Sequence, residues 1–318
     1  MTALPRLAPA DRPIVVACVC ILIILALGSV YTMATQGTLS FLRPIYLLQQ
    51  LQVGAFLGIV AAGMMLVILL GHIDLSVPWT LTASAMMATA VGGPMAIPTG
   101  LAVGLLVGLV NGLGVAVLRV PSMIFTLGVN AVLRGLMVLY TGGFAPQTHA
   151  TPLMETLAVG KLFGFLPAAL LVWAALSVVF VFMLTRTTFG RYLYAIGNRE
   201  TAAYLSGVQT RSILIGSFVL CGFCSGLAGL LLAGYSSKAY QAMGDAYLLP
   251  SIAAVVIGGT HILGGRGRYL GTVVGTILIT LLSSVLAVMQ MPEAGRQVIY
   301  GVVIIAMLLA YGRERLSA

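Results

Sequence analysis

Charge is what this chain has least of, and acid least of all. Seven Asp and Glu and sixteen Lys and Arg leave only 7% of 318 residues charged, where a soluble domain carries about 25%. So little charge cannot wet a globular surface, which excludes a soluble fold. The phosphate-cradling G-x-x-x-x-G-K-[ST] pattern is absent; Gly160-Lys161 runs on into Leu162 and lacks the upstream glycine. "GGRGRYLG" also misses the dinucleotide spacing, and neither H-E-x-x-H nor G-x-S-x-G occurs. No catalytic constellation and no cofactor are therefore expected in this chain. The net charge of +9 comes with no soluble basic patch, so nucleic acid is not an expected partner. Cysteine is sparse as well. Cys18 and Cys20 lie in an apolar run, and Cys221-Gly-Phe-Cys224 lies in another without further metal ligands, so packing is expected of them.

What remains is hydrocarbon, 60% of the residues, at a mean hydropathy of +1.10. Reading apolar runs against Gly, Pro and polar breaks predicts ten membrane spans. They are 14–34, 48–70, 76–92, 96–118, 121–141, 164–185, 212–235, 246–262, 269–290 and 296–312. The first is read as a retained span and not a cleaved leader, because it exceeds a typical signal h-region and no A-x-A-like site with a soluble domain follows. With the N-terminus in the cytoplasm, eleven basic residues fall inside, four outside, and Arg134 within a span. That bias fits an even number of crossings, with both termini cytoplasmic. Gly104, Gly108 and Gly112 form a double G-x-x-x-G, with Gly222/Gly226 and Gly271/Gly275 as further pairs, the spacing that lets bilayer helices approach closely. The expected fold is all-α and polytopic: a single domain over 1–318, with an N-tail 1–13, about ten helices in one bundle and a short cytoplasmic helix in a loop at about 186–211.

That loop holds the one strongly polar stretch, "GRYLYAIGNRETAAYLSGVQ" (190–209). It predicts a helix over 198–207, with Asn198 as N-cap, Glu200 in the first turn and Gly207 at C′. About 12 Å of helix cannot cross a bilayer. Small or amphipathic Ala202, Ala203, Tyr204 and Leu205 make it a docking element at a cytoplasmic surface.

The stretch resembles the coupling loop of permease subunits of bacterial ABC importers, in the ribose/xylose-type monosaccharide branch. The usual pattern there is close to G-R-x-x-x-A-I-G-G-N-x-x-A-A-R-L-S-G. This chain matches at Gly190, Arg191, Ala195, Ile196, Gly197, Ala202, Ala203, Leu205, Ser206 and Gly207, and departs at Asn198, Arg199 and Tyr204. "GMMLVILLGHIDLSV" (63–77), "VNGLGVAVLRVPSMIFTLGVNAVLRGL" (110–136) and "SIAAVVIGGTHILGGRGRYLGTVVG" (251–275) resemble three further blocks of that family, with His72, Pro78 and His261 as departures. The resemblance implies a second permease subunit, a cytoplasmic ATPase that binds ATP and Mg, a periplasmic substrate-binding protein and a sugar-like substrate. It also implies that Gly190, Arg191, Gly197, Asn198, Arg199, Glu200, Ala202, Ala203, Ser206 and Gly207 serve the ATPase contact. The two arginines either pair with ATPase carboxylates or are ordinary inside-facing charges. A branched-chain amino-acid-type ABC permease and an ion-coupled secondary transporter are the alternatives; the second wants acidic relays inside the spans.

Ser122, Thr126, Asn130 and Arg134 recur every four residues, so one helical face gathers them. Thr126, Asn130 and Arg134, with Asp74 and Asn111, are the candidate pathway residues. For Asn130 and Arg134 the alternatives are ties between helices, or for Arg134 an outward snorkel; for Asn111, a helix–helix hydrogen bond. Asp74 either caps the third helix, gates, or forms a pH-sensitive pair with His72. Glu155, Lys238 and Asp245 in the outer loops either meet the binding protein or are simply solvated.

Overall fold

The computed structural model describes residues 12–144 and 148–316. The chain begins with α1 (Arg12–Gln36), α2 (Pro44–Leu69), α3 (Val77–Val91), α4 (Ala96–Ala116) and α5 (Ser122–Thr141). A short α6 (Pro152–Val159) and a hairpin of β1 (Lys161–Leu162) and β2 (Leu166–Pro167) lead into α7 (Ala168–Arg186). Then come α8 (Thr188–Asn198), α9 (Glu200–Leu205), α10 (Thr210–Tyr235), α11 (Leu248–Ile257), α12 (Tyr269–Val288) and α13 (Glu293–Leu316). Among the described residues seven helices are long and apolar enough to cross a bilayer: α1, α2, α4 with the turn before it, α5, α7, α10 and α12. This is an all-α, multi-pass membrane protein.

Each expected span contains a helix, though several boundaries move. The segment expected as 164–185 starts as the β1–β2 hairpin, and the helix begins only at Ala168, after Pro167. The one expected as 246–262 ends at Ile257, because Gly259 takes φ +91° and turns the chain. The polar helix expected over 198–207 shortens to α9, and α8 appears where loop was expected.

At the centre stands α2, buried without interruption from Gly54 to Leu69, as an all-round apolar helix must be. It packs against α7, α10, α11 and α12. The glycine pairs find partners in one another. A methyl on Gly108 would lie 2.8 Å from the Val219 Cα, one on Gly112 2.8 Å from the Ile215 Cα, and one on Gly222 2.9 Å from the Gly108 Cα. So α4 and α10 touch backbone to backbone. Gly271 and Gly275 meet the carbonyls of Gly258 and Ala254 in the same way, closing α12 on α11. Close backbone approach of this kind supplies the van der Waals attraction that holds bilayer helices together.

Candidate functional site

Two neighbouring regions carry the candidate residues: the α8–α9 segment, and the connector of residues 70–76 between α2 and α3. Amphipathicity shapes α8. Gly190, Leu193 and Ile196 are buried while Arg191 and Tyr192 face out, and the Thr187 hydroxyl caps its start by accepting from the Gly190 N–H. Asn198 is not the N-cap expected of it: it is the last residue of α8. The Arg199 N–H still bonds the Ala195 carbonyl at 3.1 Å, and its own carbonyl starts α9 by accepting from Ala203. Arg199, at φ −162°, therefore holds the N-cap position, without a side-chain cap.

Tertiary packing explains why the break falls one residue late. Gly197 lies on the Leu69 carbonyl, and a methyl on Gly265 would sit 2.9 Å from both N and Cα of Asn198. The last turn of α8 is thus clamped as helix. The other end of α9 follows expectation. Ser206 is the C-cap and Gly207 takes φ +83°. Its N–H bonds Tyr204 O and the Val208 N–H bonds Ala203 O, the paired bonds of a Schellman end. Glu200 accepts from Arg119 Nη1 at 3.0 Å, linking α9 to the α4–α5 connector. Ala203 faces inward, while Ala202, Ser206 and Gly207 are exposed, and Tyr204 and Leu205 protrude at 67% and 80% exposure.

Beneath α8 three stretches of backbone cross. Gly265 N–H donates to Leu69 O at 2.9 Å. A methyl on Gly264 would lie 2.8 Å from Gly71 N and 3.0 Å from Gly197 O. Tyr194 Oη donates to Gly267 O at 2.9 Å. Four glycines from three distant blocks thus let the end of α2, the end of α8 and the 258–268 loop touch with no side chain between them.

From this crossing the 70–76 connector runs into the protein. Its free N–H groups need acceptors, and the polar face of α5 provides them. Ser122 Oγ accepts from Ile73 N at 3.4 Å, Thr126 Oγ1 from Leu75 N at 2.9 Å and Asn130 Oδ1 from Trp79 N at 3.3 Å. Arg134 ends the row with its guanidinium 6.0 Å above the Trp79 ring, a cation–π distance. The i, i+4 face is therefore real and turned toward α3. Ser122 and Thr126 tie α5 to the connector, and Asn130 ties it to the first turn of α3.

Asp74 and Asn111 come together in a buried cluster. Asp74 Oδ1 accepts from Ser76 N at 2.9 Å and Ser76 Oγ at 2.7 Å, and Asn111 Nδ2 reaches Ser76 Oγ at 2.7 Å and both Asp74 oxygens at 3.3–3.4 Å. Asp74 thus closes the turn ahead of α3, whose N-cap residue is Ser76. His72 has a different partner, Ser122 Oγ at 3.2 Å from Nδ1, so His72 and Asp74 are not a pair here. Burial lowers the His72 pKa, and the Glu200 charge partly offsets this. The Arg119–Glu200 pair and the glycine crossing escaped the sequence reading. The crossing did leave a signal, since its glycines sit inside three of the four quoted motif blocks.

The family model for branched-chain amino acid transport system permease components matches residues 46–308. The chain belongs to this permease family. It is 34% identical to the ribose import permease protein RbsC of Escherichia coli (strain K12), over 85% of both chains. Identity to RbsC of Bacillus subtilis (strain 168) is 37%, again over 85% of both. The autoinducer 2 import system permease protein LsrC of Escherichia coli O9:H4 (strain HS) is 34% identical over 81% of this chain and 76% of its own. No solved structure gives a significant match. In this permease the expected coupling residues divide by exposure. Arg191, Asn198, Arg199, Ala202, Ser206 and Gly207 are open to a partner, whereas Gly190 and Ala203 are buried and Gly197 and Glu200 half-buried.

Proposed function

We propose that this permease is the membrane subunit of an ATP-driven importer that carries a monosaccharide or related polyol from periplasm to cytoplasm. The observation that carries this reading is the similarity to ribose import permeases along 85% of both chains. The chain lies in the bacterial inner membrane with ten spans and both termini cytoplasmic. A second permease subunit completes the pathway, a periplasmic binding protein delivers the solute, and a cytoplasmic ATPase binds ATP and Mg.

In this reading α9 is the handle. Tyr204 and Leu205 seat in the ATPase, with Arg191 and Arg199 beside acidic groups on it. Motion of α9 and α8 passes through the Gly71–Gly197–Gly264–Gly265 crossing to the end of α2 and the connector. The connector is bonded to α5 and to Asn111, so it moves them with it, a rigid-body shift between two packed states. Asp74, Asn111, Thr126, Asn130 and Arg134 thereby border the solute path. A branched-chain amino acid is the second reading, favoured by the description of the matching family.

The test is uptake into proteoliposomes containing the chain, its co-encoded ATPase and binding protein. ATP-dependent accumulation of labelled ribose or a related sugar is expected. Uphill uptake without nucleotide, or accumulation of leucine but of no sugar or polyol, overturns the reading.

A further inference from the structure

At the membrane face where α2 and α13 begin, a cavity of about 360 Å³ opens between α2, α11, α12 and α13. Gln50, Thr280, Ser283, Ser284, Glu293 and Arg296 line it. Such a concentration of hydrogen-bonding groups stands out in a chain only 7% charged, since polar side chains at membrane depth are costly and tend to be functional. A second cavity of about 260 Å³ lies among α1, α2, α7 and α12, walled by Ile21, Leu25, Leu51 and Trp173. Gln50 and Thr280 border both. Polar space and hydrocarbon space therefore adjoin across one pair of side chains.

Along α12 the polar cavity is bordered by Thr280, Ser283, Ser284 and Ala287 and the apolar one by Ile277, Thr280 and Leu281, so on this helix the apolar slot lies nearer the middle. Glu293 is the first residue of α13 and Ser284 lies four residues from the end of α12, so the polar cavity opens beside helix ends. Leu25 is eleven residues before the end of α1, roughly 16 Å along the helix. Charge completes the pattern. Arg296 Nη2 donates to Glu293 Oε2 at 2.8 Å, and Arg296 Nε is buried with no acceptor. A cation and an anion side by side complement a headgroup that itself carries both signs.

We propose that the two cavities together bind one zwitterionic phospholipid with a primary ammonium headgroup. Its phosphate accepts from Arg296, its ammonium donates to Glu293, and one acyl chain fills the slot beside Trp173. A sugar would leave the apolar slot empty, and a purely anionic headgroup would offer Glu293 no donor. None of these residues belongs to the coupling segment or the connector, so the inference stands apart from the transport reading.

Trp79 and Trp173 are the only tryptophans in the sequence. The test uses the full chain carrying Trp79→Phe, purified in detergent. Trp173 emission is titrated with phosphatidylethanolamine or phosphatidylglycerol brominated in the acyl chains. Trp173 is 4% exposed, so lipid merely surrounding the protein reaches it poorly. Expected is saturable quenching by phosphatidylethanolamine, with phosphatidylglycerol weaker by about fivefold or more. Arg296→Gln and Glu293→Gln each weaken the phosphatidylethanolamine response by a similar factor, and Leu51→Phe, which fills the slot, abolishes it. Quenching that never saturates, equal response to both headgroups, or Glu293→Gln behaving as the parent overturns the proposal. So does relief of quenching by millimolar ribose, which would make the cavity a solute site. Should Arg296→Gln fail to fold, Glu293→Gln and Leu51→Phe decide the matter.

Discussion

Replacing Gly197 by alanine puts one methyl group into the crossing that joins α8 to α2. That methyl would overlap the Leu69 carbonyl and lie 2.6 Å from the Gly265 nitrogen. Both neighbours are backbone, so no flexible side chain can give way. Relief requires one of the three strands to shift by roughly 1 Å, an overpacking cost of about 1–3 kcal/mol. Such a shift also loses the 2.9 Å bond from Gly265 N–H to Leu69 O, worth about 0.5–1.5 kcal/mol. Together these disfavour the docked arrangement by roughly 1.5–4.5 kcal/mol, or about one to three decades in its population. Coupling should fall accordingly: reconstituted with ATPase and binding protein, Gly197→Ala is expected to import at least about tenfold less solute per ATP hydrolysed, with hydrolysis itself continuing. Gly301→Ala is the control, because that helical glycine has nothing within 4 Å of a new methyl, and alanine there is neutral or stabilising by about 0.5–1 kcal/mol. If Gly197→Ala keeps a transport-to-hydrolysis ratio within about twofold of the control, the crossing is not the transmission point and the mechanical argument fails.

Four further outcomes follow from the same geometry. Asn111→Ala removes the amide that bonds Ser76 and Asp74, leaving buried acceptors short of a donor; a loss of about 1–3 kcal/mol is expected in thermal unfolding, and an unchanged midpoint refutes it. Arg119→Ala deletes a salt bridge whose side chains are 54% and 39% exposed, so stability should drop by less than about 1 kcal/mol and the difference should vanish in high salt. Burial holds the His72 pKa below its ordinary 6.5, so the unfolded chain takes up this proton first as pH falls. Stability should thus decline with pH from about 6.5 down to the folded value, and His72→Gln should remove that decline in melting curves taken across the window. Gly108→Val drives a branched side chain into Phe218 and Val219 of α10, and should lower the melting midpoint by an amount matching about 3 kcal/mol or more, where a surface glycine would not.

The sequence made legible what has local periodicity. Spans emerged because a bilayer demands about 20 apolar residues in a row, and the Gly104–Gly108–Gly112 face emerged because a four-residue period is one turn of one helix. The face of Ser122, Thr126, Asn130 and Arg134 was readable for the same reason, yet its target was not. Its acceptors serve backbone N–H groups of residues 73, 75 and 79, and every residue except proline has such a group, so side-chain identity carries no trace of the partner. The misplaced end at Asn198 has a related cause. Capping preference is worth about 1 kcal/mol at a helix start, and it competes there with contacts from Leu69 and Gly265 that lie more than sixty residues away on either side. Local propensity gave the weaker term and tertiary contact the stronger one. Glycines from separate motif blocks therefore have to be read together where they converge: Gly197 must lack a side chain because backbone lies against it, while Gly71, Gly264 and Gly265 combine close approach with a positive φ that favours glycine.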